Sequence, residues 1–258
     1  PQNSSTPPRP NPDGLAQILP NTRVAKNGKG EWTITYTCGT LSYTNGRIEV
    51  VIPTGWTAPQ ITNNNAAGYV YVTSDGNIGT VTISGQTIQI PITSLLSGQK
   101  VYINYGYTAN GVNRNALAQA PNAVNSYQFL VKTAKTGTST ENLPTGSPAL
   151  TTGAPASWAL TITENPTSFK GSEYEIGVII KDANNNFLYG EPITTSDLST
   201  PNDNGSLSEY SSFINNLGHY NTGNASPTIT GHTDKNGVYY VYLTTSLDSG
   251  TNSFKFIN

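Results

Sequence analysis

The sequence predicts an all-β protein made of two antiparallel sandwiches in tandem. Three observations carry this reading. Short runs alternate apolar and polar residues with a period of two, as in residues 32–38 (WTITYTC) and 158–163 (WALTIT). Turn-forming residues recur about every ten positions along the chain. No long stretch shows helical periodicity.

Composition sets the frame. The chain has 258 residues, enough for two domains that each bury a core. Charged residues make up 11%, against roughly 25% in an average soluble domain. The polar surface therefore comes from neutral side chains: there are 36 Thr and 29 Asn, residues suited to strands and turns respectively. A net charge of −2 argues against nucleic acid or an anionic membrane as partner. A weakly charged surface suits packing against copies of itself or bearing glycans. The chain starts at Pro1 and contains no Met, which reads as a mature secreted chain after signal-peptide removal. No apolar run has the length of a membrane span. Cys38, the single cysteine, allows no internal disulfide and reads as a buried, inert thiol.

Residues 1–14 are rich in Pro and polar residues and read as an extended tail. It would be pinned by its own domain or by a neighbour. The first sandwich spans 15–132. Residues 32–38 put Trp32, Ile34, Tyr36 and Cys38 on one face. Further strands are expected at 47–53, 69–73, 79–84, 87–92, 100–105 and 126–132. Within this span, residues 52–60 (IPTGWTAPQ), 67–70 (AGYV), 83–86 (ISGQ), 96–99 (LSGQ) and 103–106 (INYG) follow one another in order. Together they resemble, over residues 20–132, a β-sandwich module repeated in bacterial surface and S-layer-type proteins. Tyr71 stands where that module usually has a small polar residue.

Residues 133–153 are Thr-, Gly-, Ser- and Pro-rich and read as a linker, or else as an extended strand along one domain. The second sandwich spans 154–258. Its first strand, 158–163, is expected to turn Trp158, Leu160 and Ile162 inward, and residues 174–181 form its central strand. A turn at Asn236-Gly237 leads into a strand with Tyr239, Val241 and Leu243 on one face and Tyr240 and Tyr242 on the other. Residues 178–186 (VIIKDANNN), 205–207 (GSL), 233–243 (TDKNGVYYVYL) and the pair Gly250-Thr251 resemble the invasin/intimin-type bacterial Ig-like (group 1) domain over 157–257. The resemblance implies that both halves are Ig-like, giving two Ig-like antiparallel β-sandwich domains in tandem behind an extended N-terminal tail. Residues 208–227, which include Tyr210 and Phe213, are longer and more polar than the usual loop and are a candidate contact surface.

No catalytic motif of metalloprotease, serine-hydrolase or phosphate-binding type occurs, and the chain is not expected to be an enzyme. His219 and His232, with Asp234, are too few for a metal site and read as loop residues. Asp182, Asn184 and Asn186 cluster oxygen ligands that calcium would accept, but the same residues cap turns through their own backbone. Asp197, Asp203 and Glu209 are a second weak calcium candidate, and no other cofactor is implied. Asn3, Asn204 and Asn224 lie in glycosylation sequons.

Tyrosine is the informative residue type, with 15 Tyr against 6 Phe. Tyr71, Tyr102, Tyr240 and Tyr242 stand opposite evident core faces. They either support the sheets or form contact surfaces, for which an amphipathic ring is suited. The expectation is an extracellular structural protein of a prokaryotic cell surface that self-assembles into a filament, pilus-like fibre or surface layer. One route is donor-strand exchange, with Gln17, Ile18 and Leu19 as the donor segment. The alternative is an adhesin or carbohydrate-binding surface module. The partners expected are copies of the chain, or surface glycans and host ligands.

Overall fold

The computed structural model describes residues 13–143, 146–162, 173–197, 206–210, 228–244 and 254–257. It is all-β with several antiparallel sheets, and its only helical turn among the described residues is the three-residue 3-10 turn Arg114–Ala116. In the first half two sheets enclose one core. The front sheet runs in the order Leu15–Leu19, Trp32–Thr37, Lys100–Tyr105, Val70–Ser74. Its alternation is strict, so Ile18, Ile34 and Ile103 stand abreast on the inner face while the intervening residues face out.

The back sheet is built on Tyr43–Val51, flanked by Leu130–Ala134 and Thr87–Leu95. Here Val131, Val50 and Ile88 stand abreast and buried. The inner faces of both sheets meet in a single apolar cluster. An aromatic chain runs through it: Trp56 packs edge-on against Trp32 and Phe129, each at 5.0 Å between ring centroids. Each fully buried side chain of this size contributes about 1.5–3 kcal/mol.

The described residues of 133–153 prove to be part of this first unit. Glu141–Asn142 pairs with the strand Leu130–Ala134. Ala149–Gly153 pairs antiparallel with Ser126–Gln128 and parallel with Val24–Ala25, and Leu143 and Leu150 are buried. The linker reading is corrected here. Strand pairing uses backbone groups that every residue except Pro supplies in full, so a Thr-rich stretch that looks like a spacer can complete an open sheet edge.

The second half holds a four-stranded sheet ordered Ser157–Ile162, Glu173–Lys181, Val238–Thr244, Ser206–Tyr210, and a three-stranded sheet ordered Thr228–His232, Pro192–Asp197, Phe254–Ile257. Its core gathers Ile176, Val178, Ile180, Leu188, Ile193, Tyr239 and Val241. The turn at Asn236-Gly237 forms as expected. Gly237 sits at φ 72°, and the Asp234 carboxylate accepts from the N–H groups of Asn236 at 2.8 Å and Val238 at 2.9 Å. One expectation fails: Trp158 is 41% exposed. Its strand is the edge of the sheet, so a position in phase with the buried row still has an open flank.

The two halves are stitched together. Tyr189 of the second half lies in the core of the first, and Ala25 of the first lies in the core of the second. Val24 and Tyr189 form a parallel bridge. Gly30 makes room for this: a Cβ there would lie 2.6 Å from the Tyr189 ring.

Candidate functional site

The outer face of the front sheet collects most of the candidate residues of the first half. Across it run Leu15, Gln17 and Leu19, then Thr33, Thr35 and Thr37, then Lys100, Tyr102 and Asn104, then Tyr71 and Thr73, all half-buried or exposed. Lys100 is the one charged side chain among them; it stands at one end of the third strand, opposite Thr37, and the Asp75 carboxylate accepts from its N–H at 2.9 Å. Neutral hydrogen bonds set the surface: the Thr33 hydroxyl donates to Asn104 Oδ1 at 2.8 Å, and Asn104 Nδ2 donates to the Tyr71 carbonyl at 3.2 Å. Tyr71, 44% exposed, stacks on Tyr107 with centroids 4.9 Å apart and planes 19° from parallel. Tyr102 is half-buried on the same face, one row away. Leu15 and Leu19, 45% and 59% exposed, edge the face with apolar surface.

A groove of about 540 Å³ adjoins this face at Leu19 and Thr33 and reaches Glu31, Asn110, Tyr189 and Asp234. Burial pushes the Glu31 carboxyl above its usual range, and hydrogen bonds from Thr108 oppose the shift. Glu31 accepts from the Thr108 hydroxyl at 2.8 Å and from its N–H at 3.1 Å.

Tyr240 and Tyr242 belong to the other half, so the structure does not place them on one sheet with Tyr71 and Tyr102. Tyr240 is half-buried and stands in register between Gly177 and Tyr210. Tyr242 stands between Glu175 and Ser208. Phe213, Asn3, Asn204, Asn224, His219 and Asp203 lie outside the described residues. Asp197 ends the strand Pro192–Asp197, and Glu209 lies within Ser206–Tyr210.

The donor candidates are in place within this chain. Gln17, Ile18 and Leu19 pair with Thr35, Ile34 and Thr33 of the chain's own front sheet, and Ile18 is buried in its core. The expectation that they leave to complete another subunit meets a filled position, since Ile18 would have to give up that burial.

The Asp182 cluster is an interdomain turn cap. Asp182 Oδ1 accepts from the N–H groups of Asn184 and Asn186, both at 2.9 Å. Its Oδ2 faces Arg23 Nε at 3.0 Å. The Arg23 guanidinium thus stands where a cation would sit. Burial alone would raise the Asp182 carboxyl, but the hydrogen bonds from Asn186 and Asn184 and the Arg23 charge hold it below the usual carboxylate range. Among the described residues, no group of three or more His, Cys, Asp or Glu side chains could hold a metal ion.

Cys38 is buried, its thiol directed at the Leu41 carbonyl at 3.4 Å, and burial pushes its pKa up. His232 lines a cavity of about 310 Å³ with Lys29 and Arg114. Burial and those two cations lower its pKa to about 4.

Sequence reasoning missed Tyr107, Trp158 and Phe187 as surface aromatics. The stack of Tyr107 on Tyr71 depends on a loop meeting a strand, which no local pattern reveals. Trp158 and Phe187 depend on edge position.

No family model matches the chain, and no curated protein matches it. Among solved structures, it is similar to a DUF4466 family protein from Parabacteroides merdae, at 11% identity over 92% of this chain and 100% of that one, with a TM-score of 0.29. A likeness that loose carries no argument.

Proposed function

We propose that this chain is an extracellular structural protein of a prokaryotic cell surface, made of two Ig-like sandwiches in tandem, that associates with copies of itself. The observation that carries the reading is the outer face of the front sheet. It is four strands wide, bears Thr, Tyr, Asn and Gln across its middle with charge at its ends, where Lys100, Asp75 and Glu31 stand, and is bordered by exposed Leu15, Leu19 and Tyr71. A monomer's exposed sheet is ordinarily studded with charge, which blocks pairing of sheets and edges. Four strands at about 4.8 Å spacing make a face roughly 14 Å wide. With strands of five or six residues, about 17–20 Å long, its plan area is roughly 250–300 Å², less than the roughly 800 Å² per partner of a standard interface. The contact therefore extends over Tyr107, and a repeated, non-closing contact of this kind builds a fibre or layer.

The strand Leu15–Leu19 is filled within its own sheet, so association through the face is favoured over donation of that strand. The test is sedimentation velocity and electron microscopy of the full chain over a wide concentration range. Ordered fibres or sheets are expected. A chain that stays monomeric at every concentration overturns the reading.

A second reading, an adhesin or carbohydrate-binding module, is favoured by the exposed aromatic residues of the second half.

A further inference from the structure

We infer that the cleft between Trp158 and Phe187 is a binding site for an acidic saccharide, one sugar ring of which lies against the Trp158 indole while its carboxylate meets Lys181. This gives the second reading a place on the molecule. It stands whether or not the chain self-associates, because the front sheet is elsewhere.

The cleft holds about 280 Å³ and is lined by Ser157, Trp158, Ile179, Lys181, Asn185 and Phe187. Trp158 and Phe187 are 41% and 43% exposed. They come together through strand pairing: Ser157 stands opposite Lys181, and Lys181 bridges to Phe187. Two large aromatic side chains left open beside each other forgo the burial that each would contribute elsewhere. The other two tryptophans are only 0% and 3% exposed.

The surroundings are built rather than loose. Lys181 Nζ lies 4.7 Å from the Phe187 ring centroid, a cation–π contact that orients both groups. The Asp182 turn behind them is fixed by the bonds to Asn184 and Asn186. From the other side, the Asn236-Gly237 turn packs so closely that a Cβ on Gly237 would lie 2.7 Å from Phe187 Cβ. The backbone that carries Phe187 is thereby held against the turn.

The chemistry selects the ligand. The C–H face of a pyranose ring is apolar and slightly positive, and it fits the negative face of an indole. Around that face the cleft offers a hydroxyl at Ser157, an amide at Asn185 and an ammonium at Lys181. Lys181 is the only charged side chain of the lining, so the complementary sugar carries an anion. A purely apolar ligand would leave the ammonium and amide without a partner on binding, which costs affinity.

The test uses the full chain and titrates its tryptophan emission with oligogalacturonate, with oligosialic acid, and with a neutral galacto-oligosaccharide. Because Trp32 and Trp56 are buried, an emission change on binding reports Trp158. Saturable binding of at least one acidic oligomer is expected, with the neutral sugar weaker. Lys181→Gln should weaken the acidic ligand about tenfold or more, as loss of a charge-assisted contact does. Trp158→Phe should keep binding by calorimetry while silencing the emission signal, and Trp158→Ala should lose both. Near-UV circular dichroism and sedimentation on the same samples check folding and assembly state. The inference is overturned if neither acidic oligomer binds saturably, if the neutral sugar binds as well, if Trp158→Ala still binds, or if the emission follows protein concentration rather than sugar. Failure of assembly in the sedimentation runs would count against the front-sheet contact alone.

Discussion

The ring of Tyr189 meets Trp32 edge-on, with centroids 5.5 Å apart and planes 77° from parallel. The two residues come from different halves of the chain, and this contact carries a residue of the second half into the first core. The Tyr189 hydroxyl also accepts from the Glu31 N–H at 2.9 Å and donates to the Glu31 carbonyl at 3.2 Å.

Tyr189→Ala should cost about 3–5 kcal/mol, the range for emptying a buried aromatic site. It should also separate one calorimetric transition into two. Tyr189→Phe keeps the ring and gives up the two hydrogen bonds, for about 1–3 kcal/mol. An unchanged single transition in the alanine variant would show that the halves do not depend on this contact.

Asp182 supplies a pH signature. Its carboxyl titrates lower in the folded chain than in the unfolded one. The stability it contributes is therefore complete above the ordinary carboxylate range, about pH 4, and is lost as pH falls through the folded value. Asp182→Asn should be destabilising at neutral pH by about 1–2 kcal/mol, since it removes the charge partner of a part-exposed Arg23 that keeps its bond to the Thr152 carbonyl. The gap between variant and parent in urea unfolding should narrow on acidification. A pH-independent gap would mean that the ion pair contributes nothing.

His232 gives the same direction of pH dependence for a different reason: the fold favours its neutral form, whereas it favours the charged form of Asp182. Its pKa falls from 6.5 in the unfolded chain to about 4 in the folded one, so the unfolded state takes up the proton first. Stability is complete above about pH 6.5 and drains as pH drops toward 4. His232→Gln should flatten the melting temperature between those two values. If the parent protein already melts at one temperature across that window, His232 is not shielded as the structure has it.

Leu19→Lys and Thr35→Lys place charge on the outer face of the front sheet without entering its core. Each should change the melting temperature little, as exposed substitutions do, within about 0.5 kcal/mol. Each should suppress assembly in sedimentation and microscopy. Assemblies of undiminished size in both variants would remove the face from the interface.

Tyr240→Thr tests a different idea. Tyr240 stands opposite Gly177, and a large cross-strand side chain covers the gap a strand glycine leaves. Its loss should cost roughly 1 kcal/mol of stability whatever it does to assembly. A melting temperature equal to the parent's would return Tyr240 to the role of a surface contact residue.

Much of the fold was legible locally. The alternation of 32–38 announced a buried row of Trp32, Ile34, Tyr36 and Cys38, and all four are buried. The Asn236-Gly237 signal announced its turn. Tyr71 was singled out because it stood opposite core positions, and its exposure follows directly from the period of a strand.

What the amino-acid sequence determined by itself was the all-β class, the faces of the strands and the turns between them. These rest on backbone geometry and on neighbours two to four residues apart. Tertiary structure alone decided which strand lies at an edge, and so left Trp158 open. It alone drew residues 133–153 into sheets, gave Asp182 an arginine partner 159 positions away, and set Tyr189 in the first core. Such contacts join residues far apart in the chain, and no local period encodes where a side chain lands once the sheets have closed.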